Sequence, residues 1–178
     1  MFAASKAGRI YDSLFFSDYG RHARAQVVEL WGLRQTVKIR EVKRHHPAQY
    51  QRQEKEVSQA LKEERALVVV SSDGCPPCRA LEAVLGPRLL THEDVALKIF
   101  NINEEAYCYV DKILAERGIM PLMTYTPLCI AVRDKRIIGK YVGYDAETGR
   151  LYELLDGPEA YDDAHMKSLQ RIIEEIEE

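Results

Sequence analysis

Apolar positions along this chain change period several times, and each change marks an element. Across residues 21–33, Ala23, Val27, Leu30, Trp31 and Leu33 fall roughly on one side of a helix, which predicts a segment that docks on something. Residues 35–42 set Thr36, Val37, Ile39 and Val42 among basic residues and read as a first strand, punctuated by His45-His46-Pro47. From Pro47 onward, Tyr50, Val57, Ala60 and Leu61 recur at helical spacing among Gln, Lys and Glu. A β-branched run beginning near Ala66 then reads as a strand that stops in the turn Ser71-Ser72-Asp73-Gly74. A helical pattern opens at Cys75 and is expected to break at Gly86-Pro87. Residues 95–102 read as another strand, and 104–117 as a helix with Ala106, Val110, Ile113 and Leu114 inward. Residues 128–132 and 137–142 form a predicted hairpin joined at Asp134-Lys135, and 163–177 a helix with Met166, Leu169, Ile173 and Ile176 on one stripe. Alternating strands and helices imply parallel crossovers. With the hairpin and closing helix added, the pattern predicts an α/β architecture with a mixed central sheet flanked by helices, preceded by a helical amino-terminal extension.

Composition narrows the function classes. The 178 residues suit one domain with a sizeable core and an extension, divided here as 1–34 and 35–178. With 25 basic against 28 acidic residues the net charge is -3, so no overall field draws the chain to nucleic acid or an anionic membrane. Four cysteines in this length do not resemble a disulfide-stapled secreted scaffold. Residues 1–20 lack a basic segment followed by a sustained apolar one, so no signal peptide is expected and the cytoplasm is the default compartment. The longest largely apolar stretch, 119–132, is too short and too broken by Pro121, Thr124 and Pro127 to span a bilayer.

The chemistry concentrates at Cys75-Pro76-Pro77-Cys78. Unpaired N–H groups and the macrodipole at a helix start favour a negative charge, so Cys75 is the sulfur best placed to ionise. Two intervening residues in a helical turn bring Cys78 within disulfide reach of it. Pro76 suits a first helical position, where its missing donor would be unpaired anyway, and Pro77 is still inside the first turn. The same spacing also occurs in half of a zinc site, yet no second pair exists: Cys108 and Cys129 stand alone, with no His within four residues of either. An inert pair in an apolar helix is the third reading.

Smaller signals have ordinary explanations beside functional ones. Asp73 either raises the Cys75 pKa by like charge or serves as a turn or cap residue. Arg79 either favours a thiolate or is simply solvated. Cys108 and Cys129 read as small buried hydrophobes, and His45-His46 as a loop pair too small for a metal site.

On the CPPC motif after a central strand, Thr126-Pro127 immediately before a hairpin, and Gly143 at the end of that hairpin, the chain resembles the thioredoxin superfamily over about 35–178. The resemblance implies a thioredoxin fold, a cis peptide at Thr126-Pro127 lying against the dithiol, and substrate contacts from Thr126 backbone, Pro127 and the rim residues Gly74, Pro76 and Pro77. Met120-Pro121 is a second peptide able to carry a cis bond. Three departures stand out: Gly74 where the family has Trp, Val69 where it buries an Asp, and Leu81-Glu82-Ala83-Val84 where it has a helix-kinking Pro. These predict a smaller and more flexible local surface, a slower or solvent-mediated resolving step and a straighter helix. The stretches 104–117, 119–125 and 144–163 exceed a minimal member.

The leading expectation is a thiol–disulfide oxidoreductase in which Cys75 attacks a protein disulfide and Cys78 resolves the mixed disulfide, with a reductase or other thiol donor as partner and no cofactor or metal. One alternative is a binding or assembly module that uses the extension together with Tyr144, Tyr152 and Tyr161. Another is metal or iron–sulfur carriage by Cys75 and Cys78 from two chains.

Overall fold

A computed structural model of the chain describes residues 44–89, 92–103, 109–119, 126–154 and 165–178. The chain parts into units 1–47 and 48–178, and the second carries the fold described below. The helix expected at 21–33 and the strand at 35–42 lie outside the described residues.

Helix α1, Pro47–Ala60, forms where the 3.6-residue pattern predicts it and buries Tyr50, Gln53, Val57 and Ala60 along one stripe. Strand β1, Arg65–Ser71, is buried on both sides except at its first residue, the mark of a central strand. It leads into α2, Pro76–Leu89, then β2, Ala96–Asn101, and the short α3, Val110–Glu116. The hairpin strands β3, Leu128–Arg133, and β4, Arg136–Asp145, follow, then β5, Arg150–Glu153, β6, Met166–Ser168, and α4, Leu169–Glu177. The six strands form one sheet in the order β2-β1-β3-β4-β5-β6. β1 and β2 are parallel, and every other neighbouring pair is antiparallel. This is the expected mixed sheet.

The main core lies on the side of the sheet where α2 and α4 pack. Leu67, Val69, Cys129, Ala131, Tyr141 and Leu151 from the strands meet Leu81 and Leu85 of α2 and Leu169, Ile172, Ile173 and Ile176 of α4. Alternation sends Ala66, Val68, Val70, Ile130 and Val132 to the opposite face, and all five are fully buried. α1 and α3 are joined by polar bonds: the Tyr109 N–H, just before α3, donates to Gln53 at 2.7 Å, and the Tyr50 hydroxyl donates to Glu116.

Several boundaries differ from the sequence pattern. α2 does not break at Gly86-Pro87 but carries Pro87 inside it and continues to Leu89. Leu85 and Leu89, four residues apart, are both buried, while Ala83, Gly86 and Pro87 face solvent, where water can take up the carbonyl that proline leaves unbonded. The closing helix starts at Leu169, not 163, because Ser168 caps it by accepting the Arg171 N–H at 3.2 Å. Met166 therefore belongs to β6 opposite Tyr152, and the stripe of α4 is Leu169, Ile172, Ile173 and Ile176. The stretch 144–163 contributes β5 to the sheet, and Tyr144, expected as an interface anchor, is buried in the core. Tyr161 lies outside the described residues, as do 104–108, so the helix expected over 104–117 is seen from Val110.

The hairpin turn has Asp134 at φ 52° and Lys135 at φ 62°, the left-handed pair that matches strand twist. Further along β4, Gly139 sits beneath the ring of Tyr141, and a Cβ there would lie 2.6 Å from the ring's Cζ. Tyr141 is 1 % exposed and cannot swing away. Gly139→Ala is therefore expected to lower stability by about 1–3 kcal/mol, read as a lower urea midpoint; an unchanged midpoint would refute the packing argument.

The Tyr141 hydroxyl accepts from Lys167 Nζ at 3.3 Å, and Lys167 also pairs with Glu175 at 2.9 Å. Burial raises the Tyr141 pKa, and the ammonium beside it offsets that only in part. Burial acts oppositely on Lys167, but its bonds to Glu175 and Tyr141 prevail and its pKa rises above the usual 10.5. Both groups hold their protons more tightly in the folded chain. Their contribution is complete below a pH of about 10 and is lost as pH rises through the folded values. Unfolding measured across that alkaline range should show stability falling, and falling less steeply in Glu175→Gln, which removes a charge that raises both values; parallel profiles would contradict this.

Candidate functional site

The dithiol stands where β1 hands over to α2. The Cys75 N–H donates to the Ser72 carbonyl at 3.2 Å, closing a turn with Asp73 and Gly74 at its corner. α2 begins at Pro76, as the proline placement predicts. The Cys75 carbonyl accepts from the N–H groups of Cys78 at 3.1 Å and Arg79 at 3.3 Å. Cys75 and Cys78 are joined as a disulfide with Cα atoms 5.3 Å apart.

The two sulfurs differ in surroundings. Cys75 is half-buried, and its Sγ accepts from the Cys78 N–H at 3.2 Å, so a helix-terminal donor already points at the sulfur that would carry charge. Cys78 is 1 % exposed. That leaves Cys75 as the sulfur an outside disulfide can reach.

Across from the dithiol, the Thr126-Pro127 peptide is cis, as the resemblance implies. The Thr126 carbonyl lies 3.4 Å from Cys75 Sγ, where it would accept the thiol proton in the reduced form. The Pro127 carbonyl accepts the Gly143 N–H at 3.0 Å, and Gly143 has φ +61°. That bond ties the start of β3 to β4 and holds the Thr126-Pro127 peptide beside Cys75. Met120-Pro121 lies outside the described residues.

Gly74, Pro76, Pro77 and Arg79 are exposed around the dithiol, and a Cβ at Gly74 would meet nothing within 4 Å. Val69 is fully buried in the main core, so no carboxylate occupies that strand position. Cys129 is also fully buried, and burial alone pushes its thiol up to about 12, in keeping with a packing role. Cys108 lies outside the described residues. Among the described residues, no group of three His, Cys, Asp or Glu side chains is placed to hold a metal ion, and no helix is long and apolar enough to cross a membrane.

A polar network beside Cys75 belongs to none of the sequence motifs. Asn101 Nδ2 donates to the Asp73 carboxylate, and Asn103 Oδ1 accepts from the Asp73 N–H at 3.1 Å and the Ser72 hydroxyl at 2.8 Å. Its signal in the sequence is an Asn-Ile-Asn run ending an apolar strand, since the carboxyl end of a strand parallel to β1 must reach the same edge of the sheet. The buried Ser71 hydroxyl donates to Glu82, pinning α2 to the end of β1.

A parallel β1-α2-β2 unit, an antiparallel hairpin, a closing helix and a cis-proline against a helix-terminal disulfide together define a thioredoxin-like fold. No protein-family model matches the sequence, and no curated protein matches it. Among solved structures, it is similar to mitochondrial thioredoxin 3 of Saccharomyces cerevisiae in its oxidized form, with 19% identity, a TM-score of 0.42, and coverage of 53% of this chain and 81% of that one. It is similar to thioredoxin O2 of Arabidopsis thaliana in the oxidized state at 17% identity and a TM-score of 0.43, covering 53% and 81%. Thioredoxin f2 of Chlamydomonas reinhardtii aligns at 15% identity and a TM-score of 0.42, covering 53% and 83%.

The exposure contrast sets reactivity. After reduction, brief alkylation of the native chain should label Cys75 and spare Cys78 and Cys129, which react once the protein is unfolded, as peptide mapping would show. Equal labelling of Cys75 and Cys78 in the native state would overturn the assignment.

Proposed function

We propose that the chain is a thiol–disulfide oxidoreductase acting on protein disulfides. The observation that carries this is the disulfide at the start of α2, with Cys75 half-buried beside the Thr126 carbonyl and Cys78 enclosed behind it. In the reduced state, the Cys75 thiolate attacks one sulfur of a substrate disulfide and the other sulfur leaves as a thiolate. Cys78 then loses its proton and attacks Cys75 Sγ, forming the protein disulfide and releasing the second substrate thiolate. Two electrons pass from the dithiol to the substrate, and a reductase or other thiol donor returns them. Cys78 is buried and the strand position of Val69 offers no carboxylate to take that proton, which makes its departure the slow part of resolution.

In this reading Gly74, Pro76 and Pro77 form the rim on which the substrate lies, and Thr126 and Pro127 offer the backbone against which its chain extends. Residues 35–178 form the redox domain and 1–34 an appended segment, and the compartment is the cytoplasm, whose thiol donors sustain the cycle.

The roles of the two sulfurs are separable by trapping. Cys78→Ser should accumulate disulfide-linked adducts with protein substrates, visible on non-reducing gels and released by dithiothreitol, whereas Cys75→Ser should give none. Adducts in both variants to equal extent, or in neither, would rule the mechanism out.

A further inference from the structure

The Asn101–Asn103 clamp is more than a loop tie, because it fixes a charge. Asp73 lies at the corner of the turn that ends at Cys75 and is exposed. One carboxylate oxygen accepts from Asn101 Nδ2, the Asp73 N–H donates to Asn103 Oδ1 at 3.1 Å, and Asn101 Oδ1 in turn accepts the Asn103 N–H at 2.9 Å. Backbone and side chain of Asp73 are thus both held, and among the described residues no cation pairs with it. Gly74, between Asp73 and Cys75, has no side chain to screen the carboxylate from a chain seated on the sulfur.

We propose that Asp73 is a specificity-determining residue, selecting disulfides whose reacting cysteine has a lysine or arginine one or two positions away. The proposal rests on the oxidoreductase reading and names its substrate class. A substrate sulfur on Cys75 Sγ leaves its neighbouring residue about 3.3 Å further along an extended chain, within reach of a rim carboxylate by a long cationic side chain. Among the described residues, a cation, Arg79, stands one helical turn beyond Cys75. Its side chain makes no hydrogen bond or ion pair among the described residues, so engaging a substrate acid would first require ordering it. The Asp73 carboxylate is already ordered and incurs no such cost.

The test is single-turnover reduction by the full chain, pre-reduced and freed of reductant, of two symmetric peptide disulfides that differ by Lys or Glu beside the cysteine. Each turnover converts one peptide disulfide to two peptide thiols as the Cys75–Cys78 disulfide forms. At low ionic strength the lysine peptide should react about three- to tenfold faster, a ratio that shrinks as salt screens the pair. Asp73→Asn should bring the ratio to about one or below, and Asn101→Ala should lower it part of the way. Comparing a ratio within each variant cancels any change that Asp73 makes in Cys75 nucleophilicity. Equal rates for the two peptides with the wild-type chain, or a preference that survives Asp73→Asn, would overturn the selection while leaving the oxidoreductase reading intact. Failure to reduce either peptide or a small uncharged disulfide would sink that reading and the proposal with it.

Discussion

The site depends on the pairing register between β1 and β3. Val70 lies opposite Leu128, so the last turn of β1 and the approach to β3 emerge at the same edge of the sheet. Cys75 follows one and Thr126 precedes the other, and the 3.4 Å contact between them is a consequence of that alignment. The register is held from both faces, because β1 is fully buried from Ala66 to Val70 and a slip of one residue would turn every core side chain to the wrong side. Core packing and site assembly are therefore the same constraint at different distances from the dithiol.

That constraint creates the inequality between the sulfurs. The end of a buried central strand delivers the chain to a helix start, where Cys75 Sγ accepts from the Cys78 N–H, a donor shared with the Cys75 carbonyl. One turn later, α2 has rotated Cys78 inward, toward the core side where Leu81 and Leu85 are buried. Two identical side chains thus acquire different solvation from helix periodicity alone. The prolines between them remove no needed hydrogen bond, since both sit in the first turn of α2.

Much of this was legible in the sequence, and the exceptions have physical reasons. The β-branched run, the CPPC turn and the hairpin around Asp134-Lys135 are local signals, and their elements start where the pattern predicts. Pro87 misled because a proline on the solvent face of a helix costs one hydrogen bond, while Leu85 and Leu89 on the buried face keep the helix going. Met166 fitted the apolar stripe of α4 by spacing, yet the capping Ser168 stands between them and ends the strand. β5 and β6 are short and supported by pairing more than by composition, so a period-based reading passes over them. The cysteines and the cis-proline were visible as types. The asparagine clamp was not, because Asn101 and Asn103 gain their role from a neighbour nearly thirty residues away in the chain.

That neighbour relation is itself a product of register. Ser71 pairs with Asn101, and the Ile102 N–H donates to the Ser71 carbonyl at 2.9 Å, which extends the parallel ladder one step past the strands. Moving β2 by one residue would present Phe100 or Ile102 to the turn, and neither can hold a carboxylate. The β1–β3 pairing thus sets the backbone against which a substrate would lie, while the β1–β2 pairing sets the charge beside it. With Gly74 leaving the space between them open, the two ladders meet at Cys75 from opposite sides, and the chemistry of the rim is decided by strand alignment as much as by the motif itself.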